Sequence, residues 1–107
     1  MLYISNAFSL NMLSTHKSTS LFINPITKDD AANIAKHTPW ISAIGHPDIA
    51  AIVSNDLGIT IKPDRATIHL NPDDKLLIAQ YIGPRLAPGT TKLPDDAKIQ
   101  YFLITMM

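Results

Sequence analysis

Pro39-Trp40-Ile41-Ser42-Ala43-Ile44-Gly45-His46-Pro47-Asp48 is the stretch from which the fold can be read outward. It runs from an apolar strand or loop into the start of a helix, and a histidine stands where the two meet. Pro47 suits the first helical position, because the N–H it lacks has no partner there in any case. Gly45 lets the backbone come close to a neighbour or a ligand. His46 therefore lies beside the free N–H groups of a helix start, a place that readily binds phosphate oxygens. Two readings of His46 stand side by side: a hydrogen-bonded structural histidine, or an acid or base facing a phosphate.

Downstream, Ile49, Ile52, Val53 and Leu57 fall on one face, so the spacing predicts a helix over 47–57. Gly58 follows where a left-handed residue closes such a helix. Upstream, Thr27 followed by Asp30 resembles a capping box for a helix from Lys28 to His37, with Ala31, Ile34 and Ala35 as its apolar stripe. The outer segments read as strands. Leu2 to Phe8 is apolar enough to be central in a sheet, and Ser18 to Ile23 is a shorter strand before a turn at Asn24-Pro25-Ile26. Arg65 to Leu70 alternates, with Ala66, Ile68 and Leu70 facing one way. A tight turn at Asn71-Pro72-Asp73-Asp74 makes it a hairpin with the nearly continuous apolar run Lys75 to Ile82. A loop covers 83–92, a short helical turn is expected between Leu93 and Ile99, and Tyr101 to Met106 is the last strand.

The sum is a single small α/β domain with a mixed sheet of about five strands and two main helices. Two helices cover one sheet face, and little chain remains for the other. A homodimer is the expected way to bury it, since closed two-fold pairs are the commonest oligomers.

At 107 residues the chain suits one core. Its 9 basic and 9 acidic side chains cancel, which argues against non-specific binding of long nucleic acid. A small phosphorylated ligand remains open, because it needs focused rather than global charge. With no cysteine, disulfides, thiolate catalysis and sulfur-ligated zinc are excluded. No apolar run approaches the roughly 20 residues of a membrane span, and no basic segment precedes the N-terminal apolar run. A cytoplasmic protein is expected.

The four glycines form no nucleotide-binding pattern. His16, His37, His46 and His69 lie too far apart for a recognisable metal motif, so neither metal nor cofactor is expected. What remains is metal-free acid–base chemistry on a phosphate ester. A ribose hydroxyl can act as nucleophile if the protein aligns it, balances the phosphoryl charge and protonates the leaving oxygen. Histidine suits the proton transfer because it titrates near neutral pH. Arg85, one of two arginines, lies in a loop between prolines and a glycine: either the charge partner of the phosphate or a solvated surface residue. Asn6, Ser9 and Asn11 stand at and beyond the first strand's end, placed either to hold a ligand or to cap and turn the backbone.

These pieces closely resemble the viral type III anti-CRISPR ring nuclease family. The resemblance rests on Ser5-Asn6-Ala7-Phe8-Ser9-Leu10-Asn11-Met12-Leu13, then Ser42-Ala43-Ile44-Gly45-His46, the helix ending in Leu57-Gly58, and Arg85-Leu86 followed by Gly89. It covers nearly the whole chain in order. It implies a homodimeric, metal-independent phosphodiesterase that opens cyclic tetra-adenylate to linear di-adenylate with a 2′,3′-cyclic phosphate end, silencing type III CRISPR signalling. His46 takes the family's catalytic histidine position, as general acid toward the leaving 5′-oxygen, and Arg85 that of the arginine near the scissile phosphate. Asn6, Ser9, Asn11 and Gly45 match positions lining the ligand groove. The pattern departs at Pro88, where the family commonly carries a glutamate, and at Thr90, where a lysine often follows the glycine. Two consequences of losing that carboxylate stand open: slower turnover, or recruitment of Asp95 or Asp96 by the loop instead. Its loss also keeps a second function open, a cyclic oligoadenylate-binding protein that sequesters the ring without turnover.

Overall fold

A computed structural model describes residues 1–13 and 17–106. The helices follow the sequence closely. Helix α1 spans Lys28–His37, and the Thr27 hydroxyl accepts the N–H of Asp30 at 3.1 Å. Helix α2 spans Pro47–Leu57 and ends at Gly58, whose φ of 71° is left-handed. Local signals account for both helices: a side-chain acceptor for an orphan N–H at the start, and a residue without Cβ at the stop.

Five strands form one mixed sheet: β1 (Leu2–Ser5), β2 (Leu21–Ile26), β3 (Trp40–Ser42), β4 (Lys75–Ile82) and β5 (Lys98–Met106). Their order is β2-β5-β4-β1-β3. β1 runs parallel to both β3 and β4, while β5 is antiparallel to β4 and β2. The apolar runs of β1 and β4 are central, as their composition demands.

Membership of the sheet differs from the sequence reading. Among the described residues Arg65 to Leu70 joins none of the five strands and forms no hairpin with Lys75 to Ile82; a parallel bridge links Leu70 to Leu13, and the N–H of Leu70 donates to Met12 O (2.7 Å). Its alternation is nevertheless real, since Ile68 and Leu70 are buried against Leu76, Ile78 and Ile104 on the sheet face opposite the helices. Packing on the sheet face, rather than a ladder with β4, accounts for the period-two pattern. The fifth strand is instead the three-residue β3, and its outer side is flanked by the segment after α2. Ser42 donates its hydroxyl to Lys62 O (2.7 Å), and the N–H of Asp64 donates to Ile44 O (2.8 Å).

Asn24-Pro25-Ile26 is strand rather than turn, because β2 lies at the sheet edge, where a proline without an N–H is tolerated. Between Leu93 and Ile99 there is a turn closed by Ala97 N–H on Pro94 O, not a helix, and β5 begins at Lys98.

The main core lies between the helices and one sheet face, with Leu2, Ile4, Leu77, Ala79 and Tyr101 meeting Ala31, Ala35, Ile49, Val53 and Leu57. The other face is not bare. Ile68 and Leu70, with Phe8 and Met12, cover part of it, whereas Ile23 remains 55% exposed at its edge.

Candidate functional site

Three mutually parallel strands deliver the candidate residues to one edge of the sheet. Asn6 follows β1, Gly45 and His46 follow β3, and Arg85 follows β4, each just beyond a carboxyl end. In open α/β sheets ligands bind outside these ends, because the loops there are free to vary while the strands hold them.

His46 is the N-cap of α2, and its Nδ1 accepts the N–H of Ile49 at 3.3 Å. An imidazole that accepts at Nδ1 carries its proton on Nε2. A doubly protonated ring is chemically distinct: protonating Nδ1 removes the lone pair and with it the cap. The structural and the acid–base readings of this residue are thus two protonation states of one side chain. His46 is exposed.

His46 and Arg85 line one cavity of about 760 Å³, together with Asp48, Tyr81, Leu86 and Pro88. Residues 83–88 form its far wall, and the loop that carries them is tied down at several points. Tyr81 Oη donates to Pro84 O (2.7 Å), the N–H of Gly89 donates to Asp48 Oδ2 (3.3 Å), and Asn55 Nδ2 donates to Thr91 O (2.6 Å). Leu86 packs on the main core. Gly89 has a φ of 81°, which explains a glycine at that turn.

Gly45 sits under Arg65. A Cβ placed there would come within 2.7 Å of Arg65 Cγ, so the close neighbour this glycine admits is an arginine stem. Both arginines of the chain therefore lie near His46, one across the cavity and one against the residue before it.

The remaining sequence candidates lie elsewhere. Asn6 lines a separate hollow of about 320 Å³ on the opposite face, with Phe8, Ile23, Ile78, Gln80 and Phe102. Ser9 caps a 3₁₀ turn at Leu10–Met12, its hydroxyl accepting the N–H of Asn11 at 3.3 Å. Ser9 and Asn11 are exposed and line neither cavity. The carboxylate that meets the Arg85 loop is Asp48; Asp95 and Asp96 line none of this cavity.

Asp48 and Tyr81 also line the cavity, and Arg65 stands against Gly45. Asp48 was visible only as a helix first-turn acid, and Tyr81 only as a strand residue; their loop contacts join distant segments and leave no local pattern. The rarity of arginine was the one signal pointing to Arg65. Of the other histidines, His37 is engaged with Asn33 O at 2.8 Å, His69 is exposed, and His16 lies outside the described residues. Among the described residues no group of three or more metal-ligating side chains comes together, and no helix is long and apolar enough to cross a membrane.

Residues 2–103 match the family model described as STIV B116-like. The chain belongs to the STIV B116-like family. It is similar to "Uncharacterized protein 26" of Sulfolobus islandicus filamentous virus (isolate Iceland/Hveragerdi), with 32% identity over 77 residues. That stretch covers 72% of this chain and 64% of the relative's length. Among solved structures, B116 of Sulfolobus turreted icosahedral virus superposes with a TM-score of 0.80 over 97% of both chains at 24% identity. At that identity the likeness establishes the shared STIV B116-like fold.

Proposed function

We propose that this STIV B116-like protein is a metal-independent phosphodiesterase that binds cyclic tetra-adenylate and opens it, silencing type III CRISPR signalling. The observation that carries this reading is the convergence of His46 and Arg85, remote in sequence, on one cavity at the start of α2. The sequence resemblance supplies the substrate; the cavity supplies an acid and a cation at a helix N-terminus, the groups that in-line phosphoryl chemistry needs.

In this mechanism a ribose 2′-hydroxyl attacks the adjacent phosphorus, forming the O2′–P bond as the P–O5′ bond breaks. The 2′-hydroxyl proton leaves to solvent, and His46, in its doubly protonated form, donates a proton to the departing O5′. The guanidinium of Arg85 balances charge on the non-bridging oxygens. Each cut leaves a 2′,3′-cyclic phosphate and a 5′-hydroxyl, and two cuts of the ring yield linear di-adenylate.

Asn6, Ser9, Asn11 and Gly45 are assigned to ligand binding, and the protein acts as a homodimer in the cytoplasm. The separation of Asn6, Ser9 and Asn11 from the His46 cavity within one chain supports a site completed across two copies. So does the exposed Ile23 beside the Asn6 hollow, an apolar surface that a second copy would bury.

The test is single-turnover incubation of excess protein with labelled cyclic tetra-adenylate in EDTA, beside cyclic hexa-adenylate. Conversion to di-adenylate is expected. A ring that stays bound and intact would replace the enzyme with the sequestering protein that Pro88 leaves open. Absence of binding to either ring would overturn both.

A further inference from the structure

We propose that Asp48 is a positioning residue that latches the Arg85 loop onto the helix start carrying His46, an inference that rests on the phosphodiesterase reading of their cavity. The loop leaves β4 at Ile82 and is held first by Tyr81 Oη on Pro84 O. Its next attachment to the body of the protein by hydrogen bond is Gly89 N–H on Asp48 Oδ2. Arg85 lies between these two points, beside Leu86 on the core, and the second bond limits how far this part of the loop swings from His46.

The chemistry of the cavity makes a carboxylate there conspicuous. A negative charge on the wall of a site for a polyanion repels the ligand, and solvent weakens that repulsion without removing it. Two roles offset it. In the first turn of α2 the carboxylate complements the positive end of the helix. From there it accepts a backbone N–H of the one loop that supplies the cavity's arginine. His46 and Asp48 share a single helical turn, so one rigid element presents the acid and fixes the loop that presents the cation. Asp48 acts through Arg85 and touches none of the reacting atoms.

Arg85–Leu86 is itself a tryptic bond, which gives a readout independent of ring cleavage. The experiment compares native-state trypsin cutting at Arg85–Leu86, with Arg65–Ala66 as reference, and single-turnover kinetics on cyclic tetra-adenylate. Asp48→Ala should raise cutting at Arg85–Leu86 about 5–10-fold, the population change for one lost hydrogen bond, and lower the cleavage rate similarly. Asp48→Asn, whose Oδ1 accepts the same N–H, should restore both. If Asp48→Ala does not fold, Asp48→Ser, too short to reach Gly89, replaces it with the same expectation. Unchanged cutting at Arg85–Leu86 overturns the latch, as does a loosened loop with an undiminished rate. Should the wild type cleave no ring, the phosphodiesterase reading fails, and any rise in tryptic cutting still decides whether Asp48 holds the loop.

Discussion

Replacing His46 separates its two chemical roles, because capping needs only an acceptor whereas proton transfer needs a titratable ring. Nδ1 caps α2 through the N–H of Ile49, while the proposed acid proton leaves from the ring. Asparagine is among the best N-cap residues, and its oxygen can accept the same N–H, but it transfers no proton. Alanine does neither. The lost cap in His46→Ala should cost about 1 kcal/mol. For a domain of this size that lowers Tm by about 4 °C. The His46→Asn protein should melt within about 1 °C of wild type, because the start of α2, and with it the burial of Ile49, Ala50 and Val53, stays intact. Both variants should lose about 10²–10⁴-fold in the rate of cyclic tetra-adenylate cleavage, the usual scale for one general acid. Thermal melts followed by far-UV circular dichroism, beside single-turnover cleavage, provide the two axes. A His46→Asn protein that cleaves at nearly the wild-type rate would refute the acid role. Equal melting temperatures for the two variants would refute the cap.

Arg85→Ala should leave Tm unchanged and reduce cleavage at least 10-fold, since the side chain is exposed and lies in a loop; a protein that unfolds instead would make Arg85 structural. Gly45→Ala should cost about 1 kcal/mol and displace Arg65, whose Cγ stands 2.7 Å from the new Cβ; urea unfolding measures the first effect and a crystal structure the second. Asp74 accepts the N–H of Asn71 at 2.9 Å and pairs with the N-terminal amine at 3.0 Å. The Asn71 bond, the larger cause, and that charge hold its carboxyl below the usual value despite partial desolvation. A depressed folded-state pKa stabilises the fold above the ordinary carboxylate range and ceases to do so as pH falls through it. Asp74→Asn should therefore lower stability at pH 7, with the gap to wild type closing below about pH 4; a gap that stays constant across this range in urea melts would contradict the assignment.

What the sequence determined by itself was everything set within a few residues. Thr27 and Asp30, His46 and Pro47, and Gly58 mark the helix ends because capping is chemistry between a side chain and backbone groups three or four positions away. Lys75 to Ile82 is legible as a central strand because burial on both faces demands a continuous apolar run. The candidate pair His46 and Arg85 was legible as well, from residue type, rarity and resemblance.

Only the tertiary structure decided which extended segments pair. Arg65 to Leu70 alternates as a strand does, since Ile68 and Leu70 are buried, but side-chain periodicity reports burial and is silent on where backbone N–H groups go. Trp40–Ser42 is too short to show a period and becomes a strand through parallel pairing with β1. Pro25 reads as a turn residue until its strand is seen to be an edge. The same limit applies to the site. That Arg65 packs on Gly45, and that Asp48 rather than Asp95 or Asp96 meets the Arg85 loop, depends on segments brought together by the folding of the whole chain. Contacts of that range leave no spacing in the sequence from which to read them.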